Sequence, residues 1–144
     1  MTFIAGMLMV MLGGGIGALA RFGFQRAGER WTNLPGWTAI FVVNILGSFL
    51  IAVSFGWLHG EGVLDAKDHL STVNHFKDEL SIQMGMGLFV TGVCGGFTTF
   101  STFSLDNLFL AYENRAQLFF NIIGSLVLAT LAAWAGLLVG GAMA

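Results

Sequence analysis

Between Cys94 and Ser104 the chain reads CGGFTTFSTFS, where five hydroxyl side chains (Thr98, Thr99, Ser101, Thr102, Ser104) alternate with three phenylalanines (Phe97, Phe100, Phe103) behind a glycine pair. Hydroxyls donate hydrogen bonds and an aromatic ring is positive at its edge, so both group types can face an anion. Gly95 and Gly96 each lower helix propensity by about 1 kcal/mol, and Thr98 and Thr99 are β-branched, so a regular helix is weakest here. Where a helix breaks, the released carbonyls can hold a hard cation such as sodium, and the amides that open the next helix can face an anion. On a helix turning about 100° per residue, Phe100 and Phe103 then fall on one side and Thr98, Ser101 and Thr102 on another. A phenylalanine stripe that simply packs is the competing reading.

Two further sets of neutral polar residues lie at one-turn spacing. Asn44 and Ser48 are four apart, and Gln117, Asn121 and Ser125 continue the same step, so each set shares one helix face. Such rows can strip water from an anion without trapping it behind a full charge; alternatively they hydrogen-bond between helices, at about 0.6 kcal/mol each. Other chemistries are poorly served. His59, His69 and His75 all fall in one polar stretch without a usual metal-ligand spacing. There are no paired carboxylates, no zinc-type His-Glu pattern and no nucleophile beside a histidine, so the chain is not read as an enzyme. Cys94 is the single cysteine and forms no intrachain disulfide.

These residues sit in a chain of 144 residues that is 56% hydrophobic and 10% charged. A soluble domain of that length could not hide so much apolar surface. A net charge of −2 with six Lys and Arg offers no basic stripe for nucleic acid. About 20 mostly apolar residues cross a bilayer, and four windows qualify: 2–20, 37–58, 82–109 and 118–140. The first has no basic residues ahead of it and is longer than a signal peptide's apolar core, so it is read as a retained span. Between the windows lie a basic connection over 22–36 and a polar loop over 59–81. The expectation is a single all-α integral membrane domain over 1–144, surrounded by lipid.

Four spans place both termini on one side, which carries Lys67 and Lys77, while the other carries Arg21, Arg26, Arg30 and Arg115. The difference is small, so the positive-inside rule fixes orientation weakly, and both dual topology and a fixed orientation satisfy it. Four helices leave little room for an axial pathway, which favours one between subunits. Gly13 and Gly17, four apart in the first span, suit close helix packing within a subunit or between subunits. No Asp, Glu, Lys or His lies deep in the first, second or fourth span, although proton-coupled carriers need an intramembrane ionisable group. A proton-coupled small four-span exporter is therefore the alternative, and a channel the first choice.

At this point a family likeness enters. CGGFTTFSTFS (94–104), NILGS (44–48), the glycine-rich run ending at Arg21 and NIIGS (121–125) together resemble the CrcB/Fluc family of bacterial fluoride channels, over all four spans. The resemblance implies passive exit of fluoride across the bacterial inner membrane through an antiparallel, dual-topology homodimer with two pores at its interface. It also implies a third helix broken mid-membrane and a structural sodium ion that is not transported. By motif position the sodium carbonyls fall on Gly95 and Thr98, the two box phenylalanines on Phe100 and Phe103, and the pore asparagine on Asn44. Ser101 and Thr102 match hydroxyls near the ion path, Asn121 and Ser125 the polar track of the fourth span, and Arg21 the arginine at the pore mouth. Two departures are visible. Residue 97 is Phe where family members often have Leu, and the loop over 59–81 is longer than the family's.

Overall fold

A computed structural model describes residues 2–31, 35–60 and 85–144. The polar loop expected over 59–81, with its three histidine side chains, lies outside the described residues, save for the backbone that ends the second helix. Every described element is helical: α1 (Thr2–Trp31), α2 (Trp37–Gly60), α3 (Gly87–Cys94, wound as a π-helix), the short α4 (Gly95–Phe97), α5 (Phe100–Glu113) and α6 (Arg115–Met143). Four stretches are long and apolar enough to cross a membrane: Ile4–Arg30, Trp37–Leu58, Gly87–Glu113 and Arg115–Met143.

The first of these differs from the sequence expectation. The window ended near Arg21, yet α1 runs on to Trp31 through the residues assigned to a basic connection. Nothing in Phe22–Arg30 stops a helix, since proline is absent until Pro35 and Gln25, Arg26, Ala27, Glu29 and Arg30 are good helix formers. Arg30 in the last turn complements the negative end of the helix. Arg26 and Glu29 form an i,i+3 ion pair at 3.5 Å, too exposed at 71% and 63% to add much stability.

The interval between the third and fourth windows, 110–117, also contracts. Asn114 alone separates α5 from α6. Its N–H closes α5 on the Leu110 carbonyl at 2.8 Å, and its Oδ1 accepts from the N–H groups of Ala116 and Gln117 at 3.0 and 3.2 Å. One asparagine thus ends one helix and caps the next.

α2 packs most extensively on α6, and α1 on α3 and α4; α5 lies against α6 and α2, and its backbone does not come close to that of α1. Glycines set these approaches. A methyl group at Gly56, Gly136 or Gly140 would overlap backbone of the facing helix of the α2–α6 pair, as one at Gly13, Gly17 or Gly96 would between α1 and the α3–α4 segment. The core is thin, with Ile40, Val43 and Cys94 the most buried apolar side chains, while large apolar residues along α1, α5 and α6 are exposed. That is the distribution expected where lipid or another subunit takes the place of water.

Candidate functional site

α4 stops at Phe97 and α5 starts at Phe100, and the two residues between them are extended: Thr98 at φ −75°, ψ 157° and Thr99 at φ −153°, ψ 120°. The N–H groups of Thr98 and Thr99 both find acceptors outside the regular helical pattern or at its end. The Thr98 N–H and hydroxyl both donate to the Cys94 carbonyl, each at 3.0 Å. In a continuous helix the Thr99 N–H would reach the Gly95 carbonyl; it goes instead to Asn44 Oδ1 on α2 at 2.9 Å. Asn44 Nδ2 returns the bond to the Thr99 carbonyl at 3.2 Å. The Asn44 amide therefore pairs with Thr99 as a neighbouring strand would.

Thr99 also starts α5. Its Oγ1 accepts from the Thr102 N–H at 3.3 Å and lies 3.2 Å from Thr102 Oγ1 and 3.1 Å from Ser101 Oγ. The Thr102 N–H is the one that an unbroken helix would send to the Thr98 carbonyl. Gly95 and Thr98 thus lose their i+4 donors to side chains. Across the gap, Gly47 on α2 makes room for the Thr98 methyl, which a Cβ at position 47 would strike.

Beside the break lies a groove of about 510 Å³, walled by α2, α5 and α6. Asn44, Ser48, Thr98, Thr99, Phe100, Phe103 and Ser125 line it. The rings of Phe100 and Phe103 sit 6.0 Å apart, tilted by 37°, and Phe100 is 80% exposed. The groove is mainly apolar with a few hydroxyl and amide groups at its wall. The start of α5 adds N–H groups with no acceptor in their own helix, a favourable end for negative charge.

The residues singled out from the sequence fall into two sets. Asn44, Thr98, Phe100, Phe103 and Ser125 meet in the groove, whereas Ser101 and Thr102 turn to Thr99 at its edge. Asn121 is 1% exposed and donates through Nδ2 to Asn107 Oδ1 at 2.8 Å. Gly95 is exposed, with open space where a side chain would be. Arg21, on α1, is not among the residues that line the groove; its Nε and Asp106 Oδ2 are buried atoms without hydrogen-bond partners. Sequence reasoning marked Thr99 at the weak point of the helix but not its pairing with Asn44, and it missed Asn107 and Trp37. Trp37 Nε1 donates to Gln117 Oε1 at 3.2 Å and packs edge-on against Phe41 and Phe120. Among the described residues no group of three His, Cys, Asp or Glu could chelate a metal.

Residues 8–137 match the model of the CrcB-like protein, Camphor Resistance (CrcB) family. The chain belongs to the CrcB family. Similar proteins include the fluoride-specific ion channel FluC of Phocaeicola vulgatus, 36% identical over 91% of this chain and 94% of that one. Those of Flavobacterium psychrophilum (31%; 90% and 92%) and Salmonella arizonae (32%; 89% and 91%) follow. The CrcB family is one of ion channels and not of enzymes, and its member here is a multi-pass integral protein of the bacterial inner membrane.

Proposed function

We propose that the chain is a fluoride-selective channel that lets fluoride leave the bacterial cytoplasm passively. The groove beside Thr98–Thr99 is half of its ion path. The observation that carries this reading is the convergence of the α5 N-terminus, the Phe100 and Phe103 rings and Ser125 on one largely apolar groove. A small anion loses much hydration there and regains contacts from close donors and ring edges, which a larger halide fits poorly. The relatives' names support the choice of ion.

A second copy completes the path. The break interrupts the third span partway through the bilayer, and the groove and the exposed Phe100 are open on the protomer surface, which suits closure by a partner. The partner is read as an antiparallel copy of dual topology, because a two-fold axis in the membrane plane brings two breaks together. Gly95 and Thr98, whose carbonyls have lost their helical donors, would hold a structural sodium ion. Uncharged peptide oxygens without their helical donors fit a hard cation. Bound there, a sodium ion would supply fixed positive charge beside the Gly95 and Thr98 carbonyls. We assign Arg21, by its motif position, to a mouth of the path beyond the groove, and Asn44, Ser101, Thr102 and Asn121 to its wall or behind it.

A second reading, the proton-coupled exporter, draws on Asp106, whose Oδ2 is buried without a partner. Asp106→Asn separates the two, since a channel keeps flux driven by voltage alone and a coupled exporter loses proton-driven flux. Proteoliposomes test the main reading: fluoride is released quickly and chloride hardly at all. Equal release of both ions overturns it.

A further inference from the structure

On the wall between α5 and α6 two polar atoms are buried without partners, Asn121 Oδ1 and Ser125 Oγ. They belong to residues one turn apart on one face of α6, within reach of a shared small ligand. Serine in a helix commonly donates to the carbonyl four residues back, as Ser48, Ser54 and Ser104 do here at 2.9–3.0 Å. Ser125 does not. Asn121, at 1% exposure, has its Nδ2 engaged by Asn107 Oδ1 at 2.8 Å, which turns its carbonyl oxygen away from Asn107. An acceptor beside a hydroxyl, both buried, calls for a neutral ligand that donates and accepts.

We propose that Asn121 and Ser125 hold one buried water molecule, oriented through Asn107, which serves as a fixed piece of hydration shell for an anion in the groove. One water hydrogen goes to Asn121 Oδ1, the water oxygen accepts from Ser125 Oγ–H, and the second hydrogen is left for the anion beside Phe103. Ser125 lines the groove with Phe103, so this hydrogen is presented where the passing ion has lost its own water. Asn121 Oδ1 would repel an anion at close range, so Asn121 acts through the water. Asn107 is a positioning residue: without its oxygen the Asn121 amide can rotate and the water loses its fixed acceptor.

This rests on the groove being an anion path, and the test separates the two. Crystal structures of the wild type and Asn107→Leu are compared, alongside fluoride and chloride efflux from proteoliposomes. The wild type shows one ordered water within hydrogen-bond distance of both atoms. N107L lacks it and releases fluoride about tenfold more slowly, with its assembly unchanged and its melting temperature lowered because Asn121 Nδ2 loses its acceptor. A dry site in the wild type, a protein group bonded to both atoms, or water and efflux unaltered in N107L overturns the proposal while a fluoride-selective wild type leaves the channel reading intact. Should N107L not fold, Ser125→Ala takes its place, with the same loss expected and unaltered efflux contradicting it.

Discussion

Asn44 and Thr99, 55 residues apart in the chain, are joined by two hydrogen bonds that use both polar atoms of the side chain and both backbone groups of the threonine, at 2.9 and 3.2 Å. The pairing explains how a non-helical residue persists inside an apolar stretch. Peptide groups that would otherwise be left bare in a water-poor setting are matched by an amide of the same chemistry. The same pairing takes from the Gly95 carbonyl the N–H that a continuous helix would give it.

Asn44→Leu removes both bonds and strands the Thr99 N–H and carbonyl. We expect a loss of about 2–4 kcal/mol, on the scale of 1–3 kcal/mol for each buried group left unmet, together with loss of fluoride efflux. Thermal melting in detergent and efflux from liposomes measure the two. A variant that melts like the wild type contradicts the clamp.

Gly47→Ala puts a methyl group against the Thr98 methyl. Overpacking of this kind costs about 1–3 kcal/mol and should push Thr98 out of place, lowering both melting temperature and efflux. Thr98→Ser removes the opposing methyl and keeps the hydroxyl that bonds the Cys94 carbonyl. The double variant should therefore regain most of what G47A loses. Simple addition of the two single effects would show that the contact does not govern the break.

Phe100→Ile and Phe103→Ile replace ring edges with aliphatic bulk. Each is expected to abolish fluoride efflux while eluting like the wild type on size exclusion. Unaltered efflux in both would refute the role of the aromatic pair.

Asn114→Ala removes the side-chain acceptor for Ala116 and Gln117. Loss of such a cap costs about 1 kcal/mol, so melting falls by a few degrees with little change in efflux. A large fall in efflux with unchanged melting would mean that the corner does more than hold α5 to α6.

The four apolar stretches were legible in the sequence because lipid demands long uninterrupted runs. Gly95, Gly96, Thr98 and Thr99 also marked, by poor helix propensity, where α4 gives way to α5. The end of α1 was misplaced, because charged residues suggested a connection although Gln25, Arg26, Ala27, Glu29 and Arg30 are good helix formers. The Asn44–Thr99 pairing depends on how α2 meets the break, which no local pattern encodes. Asn107 and Asn121 lie seven residues either side of Asn114, two turns along each arm, and so face one another once the corner is placed. Hydropathy had masked that symmetry by leaving a wide gap between the spans. No signal in Gly87–Cys94 announces its π-helical winding; the close passage of α1 at Gly13 and Gly92 is visible only in three dimensions.

The central claim is that the peptide groups released at Thr98–Thr99 serve ion passage, with a cation on their carbonyl side. Fluoride efflux from liposomes, with protein purified and reconstituted either in sodium or in a large organic cation throughout, tests it most directly. The account predicts rapid efflux with sodium and a loss of at least tenfold without it, restored when sodium is added back. Equal rates in the two preparations would contradict it.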